Sequence, residues 1–469
     1  MADRMVLALV LTLGAATFTQ GVACAQTIDE ALASTYENNK TLSAQRASLR
    51  ATDEQVPQAL SGWRPTVSAT VEAGRTYQDA NSDLYLRTQD GTTFNRAYVA
   101  SITQPLFRGG QTLAATRAAE NTVLAQRAQL HETEQTVLLD AATAYADVYR
   151  DQAVLDLTIS NEQRLIRQLQ ATRDRFQVGE VTRTDVSQAE ARVARATADR
   201  ISAEGDLARS RATYRAVVGS SPNLLPRPPV PGGVPTALNE INDLAIDSNP
   251  VVVSAAYQER SALDNVDQVR GQLLPEVSLI GRVERDKNVS NDGERLDSAS
   301  ATVRLTMPLY QSGDVYSRLR ESKQLVSQQR QRLYQSQLDS VRDATRAWNS
   351  LETARAAIGS YKKEVEANEI ALEGVQREAE VGARTVLDVL DAQQELLQSQ
   401  VSLVRSERDE VVAAYQVKSA IGQLTARQLG LKVDYYDPSD HYRDVRDLWF
   451  GGSSKGDSSS DFSSPTSQR

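Results

Sequence analysis

The stretches VGEVTRTDV at Val178–Val186 and VGARTVLDVL at Val381–Leu390 decide how the rest of the chain is read. Each breaks a long helical pattern with a single Gly, then restarts it behind a Thr and an Asp. They lie at a constant offset of 203 residues, with Val178-Gly179 over Val381-Gly382 and Asp185-Val186 over Asp388-Val389. Working outward, the same offset sets Pro105-Leu106-Phe107 on Pro308-Leu309-Tyr310, Gly110 on Gly313 and Val218-Gly219 on Ile421-Gly422. Further toward the N-terminus the offset becomes 210, with Asn39 over Asn249, Pro65 over Pro275 and Val67 over Val277. The change falls between the paired prolines, so a loop varies in length and the helices do not. The chain reads as two tandem repeats.

Within each repeat the apolar positions also coincide. Val123, Leu130, Leu138, Tyr145, Val148, Leu155 and Leu169 match Val326, Leu333, Val341, Trp348, Leu351, Ile358 and Leu372, mostly at spacings of three, four or seven. This is a coiled-coil-like seam, flanked by Ala, Gln, Arg and Glu whose small members let backbones approach closely. A helix from about Gly110 to Gly179 spans roughly 100 Å at ~1.5 Å per residue, too long for a compact domain, so the molecule is expected to be a rod or tube.

Between the paired prolines the period changes to two. Val67, Ala69, Val71 and Ala73 alternate with Thr66, Ser68, Thr70 and Glu72, and Ala301, Val303, Leu305 and Met307 alternate with Thr302, Arg304 and Thr306. One apolar and one polar face is the signature of a strand between two environments, and ~10 residues is what an oblique bilayer crossing requires. The connections Asp79–Asn95 and Asp286–Ser298 read as polar loops. Four strands cannot close a barrel, and open edges in lipid are excluded, so several protomers are expected to share one.

The predicted division is a leader over 1–25 and a first repeat over 26–219, with a helix, a strand pair at about 66–104, a long helix over 110–178 and a return helix over 184–218. A Pro/Gly linker over 220–237 leads to a second repeat over 238–430, with a helix, a strand pair at about 276–307, a long helix over 313–381 and a return helix over 385–422. Residues 431–450 are expected to pack on the shaft, and 451–469 form a low-complexity tail expected to be disordered. The fold class is a mixed α/β membrane protein.

Arg4, an apolar run and Ala23-Cys24-Ala25 form a secretory leader with its cleavage site; Cys24 leaves lipid attachment as the alternative. Cleavage would remove the single cysteine, and with it disulfide and thiol chemistry. A net charge of −9 argues against a nucleic-acid partner and reads as a solvated acidic surface or, alternatively, a steering field. His131 and His441 are not in metal-ligand spacing, and neither a phosphate loop nor a nucleophile elbow is present, so neither an enzyme nor a cofactor is expected.

On these residues the chain resembles the TolC family of outer-membrane channels, over essentially Gln26 to Trp449. The stretch GARTVLDVLDA at Gly382–Ala392 is similar to TolC proper rather than to the lipidated efflux channels. The resemblance implies a homotrimer giving four strands per protomer to a shared barrel in outer-membrane lipid, with the helices continuing as a periplasmic tunnel that narrows at its far end. Such a duct is passive, and it docks a periplasmic adaptor (membrane fusion protein) and an inner-membrane transporter for drug efflux or type I secretion.

Asp388 and Asp391 are three apart and share a helical face. Facing the axis of a trimer, they would form carboxylate rings that raise one another's pKa and attract cations. The resemblance makes them the constricting aspartates, Arg384 a gate arginine, and Thr184 and Asp185 its partners on the neighbouring turn. The family's closing tyrosine is Ala379 here, so one latch is absent. Asp185 and Asp388 also fit as helix-start carboxylates. Val178, Gly179, Val381 and Gly382 suit an adaptor's helical hairpin, or plain turn chemistry. Because Ser187 and Gln188 bring no charge, the gate is expected mainly on the second turn and docking on both. A periplasmic coiled-coil scaffold is the rival reading, and it leaves the strands unexplained. The polar lumen carries no readable code for cargo.

Overall fold

The computed structural model describes residues 26–78, 91–223, 225–288 and 293–452. The expectations for the leader, for most of the tail and for the middle of both strand connections lie outside these residues.

Each half enters through short helices, not the single helix expected. In the first half these are α1 (Ile28–Asn38), α2 (Lys40–Asp53) and α3 (Gln55–Leu60); in the second, α6 (Leu238–Ser248) and α7 (Pro250–Gly271). The breaks are made by capping residues. Asn39 Oδ1 accepts from the backbone N–H groups of Thr41 and Leu42 at 2.9 and 3.2 Å, and its Nδ2 donates to the Val217 carbonyl at 3.3 Å. Asn249 does the same for Val251 at 2.9 Å and donates to the Ala420 carbonyl at 2.9 Å. Each asparagine therefore starts one helix and ties that corner to the end of another, α5 (Arg183–Val218) or α9 (Val386–Ala420).

The longest helices, α4 (Gln111–Gln177) and α8 (Asp314–Glu380), have 67 residues each, ~100 Å at ~1.5 Å per residue. They return through α5 and α9, and α4 also packs against α7 and α9. The largest core joins Leu32, Leu138, Tyr145, Tyr214, Val411 and Tyr415, with Ala141, Ala142 and Ala144 allowing close helix approach. The Tyr145 hydroxyl lies 2.9 Å from the Gln26 carbonyl and 3.1 Å from that of Pro226, so the linker is fastened to the same core. A second core joins Ile241, Ala344, Leu351, Ala414, Val417 and Ile421.

The strands β1 (Thr66–Gln78), β2 (Gly91–Arg108), β3 (Glu276–Lys287) and β4 (Arg295–Thr306) form one antiparallel sheet in the order β1-β2-β3-β4. Both β1 and β4 are edges. The strands reach further than the alternation does. Gly91–Asn95, read as loop, pair with Gln78–Gly74, because Thr92, Thr93 and Phe94 are strand formers. The charged ends of β3 and β4 also stay in the ladder, where Asp297 bonds Arg285 at 2.7 Å and Arg295 at 2.9 Å. At the other end β2 continues past Pro105 through a bulge between Pro105 and Phe107, which accommodates a residue that has no N–H to donate.

The register separates the faces. One carries the rows Val67–Ile102–Gly281–Ala301 and Ala69–Ala100–Val283–Ala299, and the other carries Thr66–Thr103–Ile280–Thr302 and Ser68–Ser101–Arg282–Ser300. Among the described residues no helix is long and apolar enough to cross a membrane.

The chain end runs back along the helices. Tyr436 N–H donates to the Tyr36 hydroxyl at 3.1 Å, α10 (Asp440–Val445) sets His441 against the buried Asp53 at 3.3 Å, and Arg64 donates to the Leu448 carbonyl at 2.7 Å.

Candidate functional site at the paired turns

The two turns are built from the same bonds. After α4, Gly179 N–H donates to the Phe176 carbonyl at 3.0 Å and Glu180 N–H to that of Arg175 at 2.9 Å; after α8, Gly382 and Ala383 bond Ala379 and Glu378 at 3.2 and 2.9 Å. Gly179 and Gly382 have φ of +80° and +78°. A Cβ at either would meet nothing within 4 Å, so the left-handed backbone and not crowding calls for glycine.

The return helices restart behind a capping box. Thr182 Oγ1 accepts from Asp185 N–H at 3.3 Å, while Asp185 Oδ2 accepts from the Thr182 N–H and hydroxyl at 2.8 Å each. Thr385 and Asp388 repeat this at 3.2, 2.9 and 2.8 Å. One carboxylate oxygen of each aspartate is thus committed to its own helix start, the structural role left open for both from the sequence. The pattern Thr-x-x-Asp was the available signal for Thr182 and Thr385.

The rise expected at Asp388 belongs to carboxylate rings of a trimer; within the single chain the local bonds act the other way. The Thr385 backbone N–H and then its hydroxyl, with help from Arg384, hold the Asp388 carboxyl below its ordinary value. Asp391 is not paired with Asp388 but with a cation, since Arg192 Nη2 on α5 donates to its Oδ1 at 2.5 Å. Arg192 was missed because it lies on another hairpin, and the one hint was that the 203-residue offset sets it on Glu395, a reversal of charge.

Arg384 donates to Glu378 Oε2 at 2.9 Å, closing its own turn, instead of pairing with Thr184 or Asp185 of the same chain. Glu378, and after it Asp388, raise the Arg384 pKa, so it remains a full cation. Thr184 stands exposed in the first turn of α5. Behind the turns, Leu390 of α9 buries itself among Leu165, Leu169, Ala189 and Ala196 of α4 and α5, joining the two hairpins through an apolar contact. At the tips Val178 and Val381 are 72% and 80% exposed beside the open backbone of Gly179 and Gly382.

The arrangement provides an exposed apolar-and-glycine tip on each hairpin and a charged layer behind it. The family model described as "Outer membrane efflux protein" matches residues 31–220 and 242–423. The outer membrane efflux protein BepC of Brucella suis biovar 1 is 36% identical, over 96% of this chain and 97% of its own length. The outer membrane protein TolC of Vibrio cholerae is 28% identical over 65% of this chain and 73% of that one. The solved structure of the outer membrane protein VceC from Vibrio cholerae has the same fold, with a TM-score of 0.73 over 84% of this chain and 96% of that one at 18% identity. The chain belongs to the outer membrane efflux protein family, to which the TolC resemblance pointed.

Proposed function

We propose that three copies of the chain form an outer-membrane channel-tunnel, the passive exit duct of an efflux or type I secretion assembly. The observation that carries this is the sheet: one face apolar, one face polar, both edges open, continuing into 67-residue helices. Unpaired backbone groups in hydrocarbon cost several kcal/mol each, so β1 of one protomer must meet β4 of the next until the ring closes. The apolar face then contacts lipid and the polar face lines the lumen. The two halves act as tandem structural repeats whose helices form the tunnel wall in the periplasm.

The paired turns sit at the end of the helices remote from the sheet. In the trimer they form a ring in which Val178, Gly179, Val381 and Gly382 meet the helical hairpins of a periplasmic adaptor, which couples the duct to an inner-membrane transporter. Asp388, Asp391 and Arg384, with Asp185 and Thr184 on the neighbouring turn, form the gate. The Arg192–Asp391 bridge draws α9 toward α5 and holds it shut, and adaptor docking opens it.

Purified protein in planar bilayers tests this. Asp388→Ala with Asp391→Ala should raise single-channel conductance and weaken block by multivalent cations. Unchanged conductance and block would remove these residues from the constriction. A soluble elongated oligomer, in place of a heat-modifiable, SDS-resistant trimer in outer-membrane fractions, would remove the channel itself.

A further inference from the structure

The apolar face of the sheet ends abruptly at the hairpin end. Beyond the row Ala69–Ala100–Val283–Ala299, the next row is Val71–Tyr98–Arg285–Asp297 and the one after it Ala73–Arg96–Lys287–Arg295. That last row sets three cations directly opposite one another on adjacent strands, ~4.8 Å apart. Like charges in direct register destabilise a sheet. Arg75 follows on the same face, two residues beyond Ala73. Among the described strand residues Asp297 is the one carboxylate on this face at that level, and its bonds go to Arg285 and Arg295. The opposite face does not share the bias, since it carries Glu72, Glu284 and Asp286 there.

We propose that Arg75, Arg96, Lys287 and Arg295 form a cradle for the phosphate groups of a phosphorylated glycolipid in the outer leaflet. This rests on the reading of the apolar face as the lipid-contacting wall of a barrel. The position selects the ligand. The cations begin where the apolar rows stop, at the end of the strands remote from the helices, with Tyr98 and Phe94 exposed beside them as interfacial aromatics. A headgroup phosphate lying at that depth meets guanidinium and ammonium donors from all four strands, which relieves the repulsion within the row. A soluble anion has no reason to collect on an outer wall whose adjoining surface is apolar.

The test uses the full-length protein carrying Arg75→Gln, Arg96→Gln and Lys287→Gln, with the Asp297 pairs left intact. Retention of lipid A, a bis-phosphorylated glucosamine lipid, is measured through detergent exchange on the folded, heat-modifiable fraction by native mass spectrometry. The triple variant should retain lipid A about 100-fold more weakly, roughly fivefold per surface cation, while a Lys variant at Arg75 and Arg96 keeps it. Dephosphorylated lipid A should bind the unsubstituted protein no better than the triple variant binds lipid A. Equal retention by both proteins, or displacement of lipid A by inorganic phosphate at equal concentration, overturns the cradle while leaving the channel intact. A change in ion selectivity with unchanged lipid retention would turn this face to the lumen. Absence of any heat-modifiable fraction, with or without the substitutions, would remove the barrel reading beneath it.

Discussion

The two hairpins turn through the same bonds, yet they are held together differently. Between α4 and α5, Arg173 pairs with Glu190 at 2.7 Å, and Glu162 accepts from Arg200 at 2.8 Å and from Thr197 at 2.6 Å. At the corresponding places in the second hairpin stand Gln376, Gln393, Val365, Leu403 and Gln400. Among the described residues the ion pair joining α8 to α9 is Arg355–Glu410 at 3.6 Å, far from the turn. Beyond Arg384–Glu378 in the turn and Asn368 Nδ2 donating to the Glu395 carbonyl at 3.5 Å, the tip of α9 is held by Leu390 and by Arg192, both of them contacts to the first hairpin. The first hairpin is therefore cross-linked between its helices by charge, whereas the second carries its charge pair within the turn and leans on the first beyond it. In the gate proposed above, this asymmetry would make the first hairpin the part that stays and the second the part that moves.

The sharpest way to break the comparison is Leu390→Ala. Removing a fully buried leucine costs about 2–5 kcal/mol, and hydrogen exchange should speed up at residues 386–397 much more than at 183–196. Equal loosening of both hairpins would mean that Leu390 serves a common core and not a one-sided attachment. Glu162→Gln probes the opposite side. It should loosen 183–200 and leave 386–397 unchanged, with an effect smaller than that of Leu390→Ala and further reduced at high salt, because the lost contact is ionic.

The cap on the second turn adds a pH dependence. Folding lowers the Asp388 pKa from its ordinary 3.8, so the cap contributes fully above that value and is lost as pH falls through the lowered one. Exchange at residues 385–389 should accelerate only in strongly acidic solution, and Thr385→Ala should move the Asp388 titration, followed by NMR, back up toward 3.8. A titration left in place by Thr385→Ala would assign the shift to the backbone N–H at 385, which the substitution keeps, and to Arg384, and would remove the hydroxyl from it. The smallest effect is expected from Arg173→Ala, within about 0.5 kcal/mol for an exposed pair. Thermal unfolding that shifts clearly at this position would show a stronger staple than its exposure allows.

Much of this was legible in the chain. Gly179, Gly382 and the Thr-x-x-Asp restarts mark the turns because backbone chirality and unsatisfied helix N–H groups are local problems with local solutions. The apolar alternation marked the strands but not their ends, since Arg285, Arg295 and Asp297 join the ladder through cross-strand charge pairing that no single strand reveals. The site divided in the same way. Asp185 and Asp388 sit where the motif puts them, while the partners of Arg384 and Asp391 depend on how turns and hairpins lie against one another. The Arg192–Asp391 bridge spans 199 residues of sequence, and no periodicity reports such a contact.

Single-channel conductance of Arg192→Ala beside Arg173→Ala tests the central claim most directly. Arg192→Ala frees Asp391 and the tip of α9 from the first hairpin, so its conductance should rise well above that of the unsubstituted channel, while Arg173→Ala, which touches only the first hairpin, should conduct as before. Equal conductance for all three proteins, or an increase from Arg173→Ala matching that from Arg192→Ala, would contradict a gate held shut at the second turn.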